Sequence, residues 1–479
     1  MTAPPDDNGA VARPYLVLLI CCLSLFMVSM DVTIVNVALP SIQHDFKAST
    51  SGLQWTVDAY TLVVASGLML SGSMADRIGR KRVFQGGMAL FCAGSVLCAL
   101  APSIGWLVLA RMIQALGGTM LNPVAVAIIS NTFPTPRDRA RAFGVWGAVF
   151  GIAMAVGLPV GGFLTQVVGW RSIFWINVPF GLAAILLTRI YVPESRAARS
   201  GRLDLVGQML VVMMLATLIA GVIEGPRLGW GSPATIAMFA VSGAALLGLL
   251  FYEPRRNDPL IDLQLFRSVP FASATAMALC CFAAFAAFLF LNSLFLQNVQ
   301  GYTALQAGFC TLPLALAMIL CPPISGRMMG LWGPRYSLFC AGVAMGSSAL
   351  MLTQLQTGTP LWFILLAYAL FGVGFGLVNT PITVTAVSGL PRDKAGLAAG
   401  IASTSRQVGA SLGVALSGTI AGEGLAAPHG AMLSGTHTVW WLVVCGSLAI
   451  IVLGLVSTSR WGLATTRHAD HLFAEEAKS

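Results

Sequence analysis

The run Gly72-Ser73-Met74-Ala75-Asp76-Arg77-Ile78-Gly79-Arg80-Lys81-Arg82 sits between two long apolar segments. In a chain that is 57% hydrophobic and only 9% charged, so dense a cluster belongs where the polypeptide leaves a membrane. Its basic residues assign that loop to the cytoplasmic side. Working outward from it, windows of about 20 apolar residues, enough to cross a bilayer core, recur about 14 times, from 15–39 to 438–457. A mean hydropathy of +0.82 over 479 residues excludes a soluble globular protein.

The net charge of +9 reads as topology rather than as nucleic-acid binding. With the N-terminus inside, all but six of the 27 lysines and arginines fall in cytoplasmic segments. Lys47, Arg171 and Arg227 fall outside, and Arg111, Arg189 and Arg406 fall within spans. Both termini are therefore expected in the cytoplasm of a multi-pass protein of the cell membrane. The ten cysteines all lie in apolar spans without ligand spacing, and read as buried, inert thiols. No histidine lies within a span, no Ser–His pair is placed for acyl transfer, and no lysine sits in a phosphate loop. Neither a metal nor a cofactor is expected, and the chain does not read as an enzyme.

The spans group as six, two and six. The expected divisions are 1–192, a linker with two extra helices at 193–259, 260–458, and a tail at 459–479, with Leu260 to Phe266 as an interfacial helix. Gly326-Arg327-Met328-Met329-Gly330-Leu331-Trp332-Gly333-Pro334-Arg335 occupies in the second half the place of the opening run in the first. Two such halves, with a site near the midplane, suit alternating access.

The opening run resembles the loop signature between helices 2 and 3 of major facilitator transporters, with Met74 in place of the usual Leu. The extra pair of spans makes the chain similar to the 14-helix drug:proton antiporter branch. Three further stretches resemble that branch: Asp31 to Pro40, Trp170 to Pro179, and Val299 to Gly308. The resemblance implies an all-α polytopic membrane protein with the major facilitator fold, two six-helix bundles plus two extra central transmembrane helices. It also implies proton-driven transport by a monomer.

Charged groups inside hydrocarbon cost about 2.5–3.5 kcal/mol each on insertion scales, so each calls for an explanation. Asp31, Asp58 and Arg111 all fall roughly 9–14 Å below the outer surface at 1.5 Å per residue, and are expected to form one cluster. Asp31 is either a structural acid or a site for a proton or a substrate cation; by resemblance it matches the helix 1 acid of the branch. Asp58 is either a coupling acid or a hydrated vestibule residue. Trp55 and Tyr60 beside it offer cation–π contacts to a substrate, or serve as interfacial aromatics. Arg111 and Gln114 match the family's helix 4 motif, where the Arg is linked to proton transfer; a purely structural ion pair is the alternative. Gly157, Pro159, Gly161 and Gly162 resemble the antiporter motif of helix 5, with the proline one place late. Ordinary close packing of helices is the alternative.

For the opening run, a conformational gate built from Gly72, Asp76, Arg77, Gly79 and Arg80 stands against a plain basic anchor. On one face of the ninth span, Phe285, Phe288 and Asn292 form either a lipophilic substrate wall or a packing stripe. Arg406 is either structural or turned toward the central cavity. The reading as a whole is proton-coupled efflux of lipophilic, cationic compounds. Export of one endogenous metabolite, siderophore or amino acid is the alternative, and an integral membrane enzyme is a more remote one.

Overall fold

In hydrocarbon a backbone must satisfy its own N–H and C=O groups, and each apolar window accordingly folds as a helix. The computed structural model describes residues 13–196, 204–256, 262–388, 395–425 and 429–465, which are helical and contain no strand. The first group comprises α1 (Pro14–Phe46), α2 (Thr50–Ile78), α3 (Arg80–Ala99), α4 (Ile104–Thr132), α5 (Pro136–Val167), the short α6 (Ser172–Trp175) and α7 (Asn177–Tyr191). The pair α8 (Leu205–Leu228) and α9 (Pro233–Tyr252) follows. The second group comprises α10 (Val269–Leu294), α11 (Ala304–Cys310), α12 (Leu312–Trp332), α13 (Pro334–Leu352), α14 (Leu361–Val387), α15 (Ala395–Leu425) and α16 (His429–Ser457).

Among the described residues, 11 helices are long and apolar enough to cross a membrane, or 12 when the bent α2 is included. α13 and α15 fold as helices where spans were expected but fall outside that set. α2 bends by 54° between Thr50–Leu68 and Leu70–Ile78. The Ser66-Gly67 pair sits at that bend, and Ser71 Oγ donates to the Gly67 carbonyl at 2.7 Å. Both features loosen the helical ladder there.

Several helices outrun the windows, because a helix can extend past the hydrocarbon. His44 thus lies in the last turn of α1 and His437 within α16, contrary to the expectation that no span holds a histidine. Cys340 and Cys445 are exposed on the outside of the bundle, contrary to the expectation of uniform burial. The interfacial segment begins outside the described residues; what is described is a 3-10 turn at Leu263–Arg267 capped by Asp262.

The two halves repeat one device. At the basic end of the bundle Gly79 ends α2 at φ 122°, and Gly333 ends α12 at φ 80°. Each supplies a backbone conformation that other residues rarely adopt, so the next helix can start at once.

Helices α1 to α7 pack on one another, as do α10 to α16. The halves then meet along two seams: α2 lies on α15, and α5 lies on α11 and α12. Hydrogen bonds across the seams gather near the end where α1 finishes. Gln54 Nε2 donates to the Ala415 carbonyl (2.7 Å), Gln297 Nε2 to the Val37 carbonyl (2.9 Å), and the Leu305 N–H to Gln166 Oε1 (3.1 Å). That end is closed. α8 covers the α2–α15 seam from the side, with Gln208 donating to the Ser66 carbonyl and Thr419 Oγ1 to the Val222 carbonyl.

Candidate functional site

Asp31, from the middle of α1, is fully buried and is held by two other helices. Arg111 Nη1 of α4 donates to its Oδ2 at 2.5 Å. Gln114 Nε2 of α4 and Asn177 Nδ2 of α7 each donate to its Oδ1 at 2.8 Å. Ser95 Oγ of α3 accepts from Gln114 (2.8 Å) and Asn177 (3.3 Å), which fixes both amides. Arg111 also donates to Gln114 Oε1 (2.7 Å) and, through Nε, to the Thr56 carbonyl (3.3 Å). Its guanidinium lies 4.3 Å from the centroid of the Tyr60 ring.

The charge pair is thus saturated with hydrogen bonds, the condition under which a buried pair is tolerated. Neutralising Asp31 would leave Arg111 with partners on α2 and α4 alone, so a proton there changes how α1 is tied to its neighbours. Ser95 and Asn177 are the partners missed in sequence reading. Asn177 was visible within the Trp170–Pro179 stretch, but nothing local to it pointed toward Asp31.

Asp58 does not join this cluster. Thr56 and Tyr60 stand one turn apart on the face of α2 that meets Arg111. Asp58, two residues from each, is rotated about 200° away. With Gln54, one turn earlier, it faces α15 instead. Its side chain is fully buried, and neither carboxylate oxygen has a hydrogen-bond partner. The Ser411 hydroxyl of α15 stands beside it as the one neighbouring donor, and no cation pairs with it among the described residues. A carboxyl group is therefore sealed inside one of the two seams between the halves.

Other expected cavity residues are engaged elsewhere. Trp55 Nε1 donates to Glu224 Oε1 on α8 (2.9 Å), and Tyr60 is buried beneath Arg111. Gln114 belongs to the Asp31 network. Phe288 is buried and stacks on Phe371 (4.3 Å), and Phe285 on Phe375 (4.2 Å). Asn292 accepts from the Tyr368 hydroxyl at 2.8 Å. That stripe packs inside the second half rather than lining a cavity, because α14 presents a matching aromatic face. Arg406 is partly exposed and has Phe282 of α10 beside it.

In the opening run, Asp76 pairs with Arg80 at 3.1 Å, and Arg80 Nη1 reaches the Ala127 carbonyl. Glu194 at the end of the first half, unflagged in the sequence, gathers the loop. It accepts from the Lys81 N–H (3.0 Å), pairs with Arg82 (3.6 Å) and fills the space beside Gly79. Arg77 lies in the last turn of α2, and Gly72 approaches Pro123 of α4. On α5, a Cβ at Gly157 or Gly161 would collide with Thr33 or Ile34 of α1. One at Gly162 would collide with the Ala304 carbonyl of α11, across the seam. Pro159 lies within α5 between these contacts. The motif therefore glues α5 to α1 and also forms part of the contact between halves.

Residues 21–414 match the profile of the Major Facilitator Superfamily. The chain is 38% identical over 410 residues to the multidrug resistance protein Stp of Mycobacterium tuberculosis, covering 85% of this chain and 76% of that protein. It is 34% identical over 419 residues to the tetracenomycin C resistance and export protein of Streptomyces glaucescens, covering 86% and 77%. It is also 34% identical over 481 residues to the puromycin resistance protein pur8 of Streptomyces alboniger, covering 98% and 95%. Among solved structures, a bacterial homologue of the human lysosomal transporter Spinster superposes with a TM-score of 0.63 at 16% identity, over 93% of this chain and 98% of that one.

Proposed function

Because the chain belongs to the major facilitator superfamily, with relatives named for drug resistance and export, it is a membrane transporter rather than an enzyme, and we propose that it is a proton-coupled exporter of lipophilic compounds. The observation that carries proton coupling is Asp58, sealed beside Ser411 but without a counter-charge, in a seam that alternating access must open. An unpaired charge is costly to bury, whereas a neutral carboxyl group is far less so. Asp58 thus takes up a proton from outer water while the seam is open, and the seam closes over the neutral acid. The Asp31–Arg111 network supplies the second half of the coupling. A proton on Asp31 frees Arg111 from α1 and loosens the bundle on which the seam rests.

The positive-inside pattern puts the basic end, with Asp76 to Arg82, in the cytoplasm. The closed end then faces outward, and the molecule is poised to accept cargo from the inside. The additional pair α8–α9 fits the 14-helix drug:proton antiporter branch. A cationic cargo was expected from the two acids of the first half. With Asp31 saturated and Asp58 sealed, neither carboxylate meets the open space, so charge recognition falls to other residues.

The test is accumulation of a lipophilic dye in proteoliposomes under an imposed proton gradient, acid inside. The account expects accumulation by the native protein that collapses with a protonophore. Accumulation indifferent to the protonophore would remove proton coupling.

A further inference from the structure

Arg406 is the arginine of the second half that lies in the interior of a helix rather than near its end. It stands where α10, α14 and α15 meet. Its Nη2 donates to Thr383 Oγ1 of α14 (2.5 Å), and its guanidinium lies 5.8 Å from the Phe282 ring of α10. Among the described residues no carboxylate pairs with it, and its Nε has no hydrogen-bond partner. The helices of this half carry a single acid, Glu423. It is 17 residues along α15, about 25 Å away along the axis.

The direction in which Arg406 faces follows from α10. Phe282, Ala286 and Ser293 share one helical stripe, and all but Ser293 are partly exposed. Ser293 Oγ accepts from Gln297 Nε2, which also donates to the Val37 carbonyl of α1. This stripe therefore looks toward the first half, between the two seams. Thr383, four residues before the end of α14, is exposed, and Arg406, eleven residues into α15, is partly exposed on the same side.

An arginine kept in hydrocarbon without a counter-charge normally marks a substrate path. We propose that Arg406, flanked by Phe282 and Thr383, is a cargo subsite for an anionic group, such as a carboxylate, sulfonate or phenolate, attached to an aromatic body. The guanidinium offers forked donors to the anion while the ring of Phe282 meets the apolar body. Asn379 of α14, one turn before Thr383 and partly exposed, adds a neighbouring amide. The proposal reverses the sign of charge expected for the cargo. It rests on the export reading only for the direction of movement.

The test is fluorescence titration of the full chain in lipid nanodiscs with two probes of matched shape, 1-pyrenebutyrate and 4-(1-pyrenyl)butyltrimethylammonium. Native protein binds the anion more tightly than the cation. Arg406→Gln weakens the anion about tenfold or more, the scale of one charge-assisted contact, and leaves the cation unchanged or tighter. Arg406→Lys keeps most of the anion affinity. Equal affinity for the two probes, or Arg406→Gln binding pyrenebutyrate like native, overturns the proposal. The native comparison decides the charge preference even if the Gln variant does not fold. Proteoliposome transport separates this claim from the export reading. Arg406-dependent binding without gradient-driven movement sinks only export, whereas gradient-driven movement indifferent to Arg406 sinks only the subsite.

Discussion

Arg111 shows how one side chain can be both a structural tie and a functional lever. It joins α4 to Asp31 of α1 and to the Thr56 carbonyl of α2, and its charge is balanced only by Asp31. Removing it leaves a buried carboxylate with two amide donors and no cation. Arg111→Ala is expected to destabilise the fold by about 3–5 kcal/mol, the range for a buried pair broken on one side. Chemical unfolding in detergent checks this, and Arg111→Lys should recover part of the loss. The sequence made Asp31 and Arg111 conspicuous because intramembrane charges are rare, and depth counting put them at one level. It put Asp58 at the same level and in the same cluster, because depth says nothing about rotation around the helix. Two residues of displacement from Thr56 and Tyr60 sufficed to turn Asp58 to another neighbour. Asn177 and Ser95, uncharged and common in helices, carried no comparable signal.

Among the elements, α5 and α11 approach closely backbone to backbone between the halves. A Cβ on Gly308 would stand 2.8 Å from the Leu158 carbonyl oxygen and 3.1 Å from Pro159 Cα, and neither is the end of a flexible side chain. Gly308→Val is therefore expected to hold the seam open. Spin labels on His44→Cys and Asn298→Cys, which flank the polar cleft of about 420 Å³ at that end, should show a longer distance by pulsed EPR than in the parent. Gly144→Ala, where a Cβ meets open space, should leave it unchanged. The glycine-rich pattern of α5 was legible in sequence, since so many helix-weakening residues need a reason. Its two separate partners were not, because Gly157 and Gly162 look alike until α1 and α11 are in place. The aromatic stripe of α10 stayed ambiguous in sequence for a related reason. Periodicity marks a face, but only the partner helix α14 decides whether that face is core or cavity.

At the scale of the whole molecule, two halves are joined at one end, while at the basic end Glu194 and Asp76 bind only within the first half, as in a machine caught on one side of its cycle. The orientation predicts that Lys81→Cys reacts with a membrane-impermeant thiol reagent from the cytoplasmic side only, a test made with right-side-out and everted vesicles. Composition and charge distribution made the helical membrane fold and its repeat legible, because the bilayer permits few alternatives. They gave no view of the seams, which depend on contacts between residues hundreds of positions apart, such as Gln54 with Ala415. The central claim is that proton movement and export are coupled through Asp31 and Asp58. The most direct test is proton release from acid-loaded proteoliposomes on adding a transported lipophilic dye, comparing native protein with Asp31→Asn and Asp58→Asn. Native protein is expected to release protons, and both variants are expected to lose that release. Release equal to native in both variants would contradict the claim.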